Sequence, residues 1–558
     1  MPARASARAR GRDTAAERTG ADTPCRDGQT APVVEHVEVL IIALFVSVLG
    51  LNALAERFSV PYPIFLVLGG LALGGIPGVP DVELEPELVL VIFLPPLLYS
   101  AAFFADLRAL RQSARALTLL SIGLVLGTTC AVAVVAHEVI DMPWAAAFAL
   151  GAVVSPTDPV AATAIMRRLG APRAIVNIVE GESLVNDASA LVAYKVAVAA
   201  AVTGSFSLFD ATVDFVVAAA GGAALGLAIA VVVAWVRRRI DDPVTAMTMS
   251  LFTGYAAFIP ADELELSGVL AVVTCGLYLG WHAPTLASPQ TRLQTFAVWE
   301  MLVFLLNAIL FILIGLQLPV IVDELGAVSV AEALGYSAAI IGVVVGVRLI
   351  WSFTVPYVIR MLDRRPQQRA RRTDARTRLV MSWAGMRGGV SLAAALAIPA
   401  TIDSGAPFPH RELILFITFG VIVFTVVGQG LTLPLLIRRL GVLDDGSEEE
   451  SEELLGRMEA AQAALRWLES ESEAREDTVR RVSRLYEFRY RRFSTRAGEV
   501  DDDDGIEEQS LGYQRLMHRV FEAQRLRLVE LRNQGQISNA VMHRLERELD
   551  LEESRLEV

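Results

Sequence analysis

The stretch EGESLVNDASALVAYK, residues 180 to 195, places Glu180, Glu182, Asn186, Asp187 and Lys195 within one of the most apolar parts of the chain. On an α-helix Glu182 and Asn186 stand at i, i+4 and share a face, as do Ser183 and Asp187. The two pairs are offset by about 100°. Such a helix offers Ser183 and Asp187 to an ion while turning Glu182 toward a partner. Desolvation disfavours the charged form of a carboxylate, so a carboxylate at this depth can exchange a proton for a metal cation at ordinary pH.

Three further polar groups interrupt apolar sequence. In SPTDPVAA, residues 155 to 162, Pro156 and Pro159 bracket Thr157 and Asp158. Each proline removes a backbone donor, so a helix is expected to break here, leaving carbonyls free beside a carboxylate. Transporters build cation sites in that way; the structural alternative is a proline kink with a satisfied Asp. In VVVGVRLIWSF, Arg348 cannot shed its proton and needs an acidic partner. Glu182 is the best candidate in the sequence, and the alternative is an arginine snorkelling to the interface. In WAGMRGGVSLAAALAIP, residues 383 to 399, Gly385, Gly388 and Gly389 surround Arg387 and predict a second interrupted helix facing the first. Paired interrupted helices in the two halves of a transporter point to its binding site. Ionisable groups at membrane depth are costly, so each of these is a functional-site hypothesis, with a bundle-stabilising contact as the alternative. Lys195, the single lysine among 49 basic residues, reads as interfacial or structural, and the six scattered histidines carry no role.

The elements that must position these groups are membrane helices. The chain has 558 residues, 54% of them hydrophobic and gathered in long runs, many matching the roughly 20 residues a helix needs to cross a bilayer. Thirteen apolar segments follow one another at about 37–57, 61–79, 86–106, 115–137, 144–168, 174–202, 213–237, 243–260, 266–282, 296–318, 331–360, 378–400 and 411–437. The expected fold is an all-α polytopic membrane protein. Cys25, Cys130 and Cys275 lie far apart and show no disulfide or metal-ligand spacing. The arginines cluster in loops after odd-numbered segments, which the positive-inside rule assigns to the cytoplasm; the N-terminus then lies outside. An arginine-rich stretch over residues 1–33, expected to be disordered, conflicts with that assignment. Residues 441–558 hold 29 Asp/Glu against 18 Arg and so carry most of the net charge of −13. They read as a small helical cytosolic domain without catalytic features, following a membrane domain over 34–440. Acidity of this kind argues against a nucleic-acid partner.

LPPLLYSAAF (94–103), SPTDPVA (155–161), EGESLVND (180–187), Arg348 and GMRGGVSLA (385–393), five motifs in order, resemble the monovalent cation:proton antiporter-1 family. This family includes bacterial NhaP-type sodium/proton antiporters and animal sodium/proton exchangers, and the resemblance spans about residues 37–440. It implies a homodimer of thirteen-helix protomers with six-helix inverted repeats and two crossing broken helices. It also implies that Asp187 is the essential ion- and proton-binding carboxylate, with Asp158, Ser183 and the Thr157 carbonyl completing the site. Asn186 resembles the neutral neighbour of this family, Glu182 and Arg348 its structural ion pair, and Arg387 its helix-break arginine. Many members carry an acidic residue where this chain has Ser100, which puts a third carboxylate at the site in doubt.

The expected function is secondary active exchange of Na⁺, with Li⁺ or K⁺ open, for H⁺, serving pH and sodium homeostasis. It needs no cofactor and no enzyme chemistry, and its partners are monovalent cations, protons and the bilayer. By the resemblance, exchange is electroneutral. A potassium/proton antiporter of the same fold is the nearest alternative. An intramembrane aspartyl protease using Asp158 and Asp187 is the rival from another class, disfavoured because neither Asp lies in a Gly-x-Gly-Asp setting.

Overall fold

The computed structural model describes residues 31–58, 60–76, 86–240, 242–326, 328–362, 374–471, 474–502 and 505–556. The expected disordered stretch, residues 1–33, and with it the orientation of the N-terminus, falls almost wholly outside them. The described residues are nearly all helical, with an isolated bridge between Thr401 and Pro407. The chain divides into two compact units between Leu443 and Asp444.

The first unit comprises α1 (Ala31–Phe58), α2 (Tyr62–Gly74), α3 (Pro86–Phe104), α4 (Leu107–Thr118), α5 (Val125–Ile140), α6 (Trp144–Val154), α7 (Val160–Leu169), α8 (Arg173–Thr203), α9 (Leu208–Arg237) and α10 (Pro243–Glu263). It continues with α11 (Gly268–Leu286), α12 (Pro289–Leu316), α13 (Leu318–Asp323), α14 (Val330–Leu362), α15 (Ala375–Trp383), α16 (Gly389–Leu396), α17 (Arg411–Val423) and α18 (Gly430–Leu440). Two π-helical turns, Leu119–Leu124 and Phe424–Gln429, join α4 to α5 and α17 to α18. Among the described residues eight helical stretches are long and apolar enough to cross a membrane, and Tyr62–Gly74, Val89–Phe104 and Trp144–Val154 are shorter apolar helices. Each of the thirteen apolar segments read from the sequence holds a helix or a pair of half-helices.

Segment four differs from its reading. It begins about two turns early, at Leu107, because α4 is amphipathic and its Arg108, Arg111 and Arg115 lower the hydropathy that marks a span. Prolines inside the membrane helices leave carbonyls to be satisfied from outside the helix. Pro96 of α3 cannot donate to Ile92, and the Tyr255 hydroxyl of α10 donates to the Ile92 carbonyl instead, at 3.0 Å.

One apolar core joins α2, α5, α6, α12, α16 and α17 around Leu66, Leu150, Phe311 and Ile417. A second joins α3, α8, α9, α10, α11 and α12 around Tyr99, Ala257, Cys275 and Trp299. Helix α8 contributes to both, through Tyr194 in the first and Leu184 and Ala188 in the second.

The described residues of the second unit form four helices: α19 (Ser447–Ser470), α20 (Glu476–Arg496), α21 (Ile506–Asn533) and α22 (Asn539–Glu553). Leu454 and Met458 of α19 pack on Phe493 of α20. Gly535 takes a left-handed φ of 70° after α21, and the Ser538 side chain accepts from the Val541 N–H to cap α22.

Candidate functional site

Ser183 and Asp187 lie one turn apart in the buried middle of α8, and both line a cavity of about 590 Å³. Thr157 and Asp158, from the gap between α6 and α7, line it too. Leu97 and Ser100 of α3 and Trp299 and Asn307 of α12 form other walls, and the cavity reaches Arg167, Glu180 and Glu300. Among the described residues none makes a hydrogen bond or ion pair with the Asp187 carboxylate.

The gap in the first broken helix follows from its prolines. Pro156 cannot donate to the Ala152 carbonyl, and the Ser155 hydroxyl does so at 3.1 Å. The second gap, between α15 and α16, lies against the first. The Asp158 N–H donates to the Met386 carbonyl at 2.8 Å. Arg387 donates through Nε to the Val154 carbonyl at 3.1 Å and through Nη1 to the Gly385 carbonyl. Its backbone N–H donates to Thr425 Oγ1 at 3.0 Å.

Electrostatics explains why one carboxylate and one guanidinium sit at this crossing. The Asp158 carboxylate accepts from the Val160 N–H at 2.9 Å and faces the Gly389 N–H, so it lies at the N-terminal ends of α7 and α16. Arg387 lies at the C-terminal ends of α6 and α15. Each charge thus opposes the partial charges of two half-helix ends. The close approach requires glycine at 388 and 385, where a Cβ would run into the Asp158 carboxylate and the Arg348 guanidinium.

Glu182 points away from the cavity. Arg348 grips it with both nitrogens, Nη1 to Oε1 at 2.5 Å and Nη2 to Oε2 at 2.9 Å, and its Nε donates to the Ser382 carbonyl at 3.1 Å. Glu182 is 2% exposed and Arg348 4%, so the arginine does not snorkel. The Thr157 hydroxyl donates to Glu182 Oε1 at 3.1 Å and accepts from Asn186 Nδ2 at 2.8 Å. Asn186 Nδ2 also lies 3.4 Å from the Thr157 carbonyl.

All eight residues singled out from the sequence therefore gather at one place: Thr157, Asp158, Ser183 and Asp187 on the cavity, Glu182, Asn186, Arg348 and Arg387 behind it. Ser100, at the position where many members of the resembled family are acidic, lines the cavity with its hydroxyl turned to the Leu97 carbonyl at 2.9 Å. Glu180 and Lys195 lie outside the cluster. Glu180 pairs with Arg167 at 2.7 Å, and Lys195 pairs with Asp262 of α10 at 3.1 Å, at exposed positions. The sequence reading missed Ser121 and Thr425. Ser121 donates to the Glu182 carbonyl at 3.0 Å from the first π-turn, and Thr425 supports Arg387 from the second. Nothing in their local sequence distinguishes them from ordinary helix hydroxyls.

A membrane bundle whose two interrupted helices cross beside buried carboxylates, open to a cavity, defines an ion-coupled secondary transporter and not an enzyme. Residues 40–439 match the family model described as sodium/hydrogen exchanger, transmembrane. The chain is 37% identical over 525 residues to an uncharacterized Na⁺/H⁺ exchanger of Mycobacterium tuberculosis, covering 93% of this chain and 96% of that one. It is 33% identical over 410 residues to the sodium, potassium, lithium and rubidium/H⁺ antiporter of Bacillus subtilis, covering 71% and 61%. The structure of the sodium proton antiporter MjNhaP1 from Methanocaldococcus jannaschii superimposes with a TM-score of 0.56 at 19% identity, covering 73% of this chain and 99% of that one. The chain belongs to the sodium/hydrogen exchanger family, whose members exchange monovalent cations for protons across the membrane.

Proposed function

We propose that this protein exchanges Na⁺ for H⁺ one for one, with both substrates competing for Asp187. The observation that carries the reading is that Asp187 is a buried carboxylate on the cavity without a described protein partner. Glu182 is held by Arg348 and Asp158 by two half-helix N-termini, so both already have protein partners. A deprotonated Asp187 takes the cation, with Ser183, the Thr157 carbonyl and Asp158 supplying further oxygens, and a protonated Asp187 releases it. Asn186 keeps a second titrating charge away from Asp187, which makes each transported form carry the same net charge. A rigid-body shift of the helices carrying the crossing, relative to α3 and α12, exposes the site alternately on the two sides.

The cavity reaches the arginine-bearing end of the bundle at Arg167, which the positive-inside rule makes cytoplasmic. On that reading this conformation is inward-open and the unit after Leu443 is cytosolic. The protein acts as a homodimer of such chains in the cell membrane, in pH and sodium homeostasis. The Bacillus subtilis relative's name lists potassium, lithium and rubidium beside sodium, and Li⁺ or K⁺ exchange is accordingly the second reading, without a change of mechanism. Dye-based antiport in everted vesicles tests the assignment: Asp187→Asn at wild-type protein levels abolishes dequenching by Na⁺, Li⁺ and K⁺ alike. Exchange surviving in that variant would overturn the assignment.

A further inference from the structure

Helix α20 has two different apolar faces. One is used inside the second unit, where Phe493 and Tyr490 pack on Leu454 and Met458. The other is not. Arg481, Arg484, Leu485 and Phe488 recur at i, i+3, i+4 and i+7 and so form one stripe. Arg484 stands about 180° and Phe488 about 140° round the helix from Phe493. All four side chains are exposed, with Leu485 at 50% and Phe488 at 36%.

The helix is also a basic island in an acidic unit. It carries seven arginines against Glu476, Asp477 and Glu487. Several of these arginines are engaged: Arg480 with Asp477 at 2.6 Å, Arg492 with Glu507 at 3.0 Å, Arg496 with Glu450 at 3.5 Å, and Arg489 over the Tyr486 ring. Arg481 and Arg484 have no ion-pair partner among the described residues. A solvated charged face has no need of Leu485 and Phe488 between these two arginines. A bilayer interface uses both kinds of side chain, cations for phosphate and large apolar groups for the acyl boundary. The chain enters this unit through residues 441–446, directly after membrane helix α18.

We propose that the Arg481–Arg484–Leu485–Phe488 face of α20 docks on anionic phospholipid headgroups of the adjacent leaflet. The two guanidinium groups meet lipid phosphates, and Leu485 and Phe488 enter the interfacial layer. The acidic remainder of the unit is repelled by the same surface, which orients this face toward it.

The test uses the full chain in nanodiscs, with a fluorophore on Phe488→Cys in a background of Cys25→Ser, Cys130→Ala and Cys275→Ala that retains antiport. Discs of phosphatidylcholine, with or without a third of phosphatidylglycerol, carry a quencher at headgroup depth. Quenching at least threefold stronger in the anionic discs is expected, reduced to the neutral level by 0.5 M salt or by Arg481→Glu with Arg484→Glu, and retained by Arg481→Lys with Arg484→Lys. Equal quenching in the two lipids overturns the proposal. So does loss of quenching in the lysine and glutamate pairs alike, which would mean a folding effect. A fluorophore shielded from water but beyond reach of the quencher would place a protein, such as the acidic α19 of a second copy, on this face and would also overturn it.

Discussion

Arg348 and Glu182, 166 residues apart in the chain, form a two-pronged ion pair at 2.5 and 2.9 Å with almost no exposure of either side chain. It ties α14 to α8 immediately behind the site. Removing one member leaves a buried charge alone, which costs about 3–5 kcal/mol, whereas replacing both by apolar groups of similar volume is far milder. Arg348→Met is therefore expected to lower the melting temperature and membrane yield sharply. Glu182→Leu combined with Arg348→Met should recover most of the loss, as read by thermal size-exclusion fluorescence. Recovery of stability without recovery of antiport would separate a purely structural pair from one that also shapes the site.

Thr157 links that pair to the site, accepting from Asn186 and donating to Glu182. Thr157→Val keeps the shape and removes one hydrogen bond from Glu182, which Arg348 still holds, and one from Asn186, at about 1–3 kcal/mol, while Thr157→Ser keeps the hydroxyl. Antiport initial rates should fall at least fivefold in the valine variant and stay within twofold in the serine variant. Equal rates in the two would show that the hydroxyl bridge is unnecessary.

At Gly388 the backbone is ordinary but the space is not, since an added Cβ meets the Asp158 carboxylate. Gly388→Ala should displace that carboxylate and the crossing with it. Displacements of about 1 Å at a site cost on the order of 10²-fold, so at least a tenfold lower antiport rate at normal expression is expected. Gly420→Ala, facing only Ser337, serves as the control and should transport normally.

In the second unit, Arg492 beside Glu507 holds its carboxyl below the usual value of 4.5. The folded form binds a proton less readily than the unfolded one, so the contact stabilises above pH 4.5 and its contribution is lost as pH falls through the folded value. Hydrogen exchange on the full chain should show the start of α21 loosening below pH 4.5. Glu507→Gln should show that looser state already at pH 7, with a flatter acid response.

The sequence made the site unusually legible, for a physical reason. In a bilayer an ionisable side chain is too costly to be incidental, so Asp158, Asp187, Arg348 and Arg387 announce themselves against apolar neighbours. The prolines and glycines beside them mark the same two interruptions that the structure brings together. Pairing Glu182 with Arg348 followed from charge balance alone. What stayed hidden depends on the third dimension. Ser121 and Thr425 act through π-turns that one extra residue per turn creates, and no local pattern signals them. The partners of Glu180 and Lys195, Arg167 and Asp262, are surface neighbours chosen by packing. The start of α4 was missed because its arginines mask a helix that is continuous with a membrane span.

The central claim is that one cation and one proton compete for Asp187, and ²²Na⁺ uptake into proteoliposomes as a function of pH tests it most directly. The account predicts that the apparent KM for Na⁺ rises about tenfold for each pH unit of acidification below the carboxyl's pKa, while the maximal rate at saturating Na⁺ on the uptake side stays constant. Asp187→Asn should show no proton-coupled uptake at any pH. A KM independent of pH, or proton-coupled uptake persisting in Asp187→Asn, would contradict it.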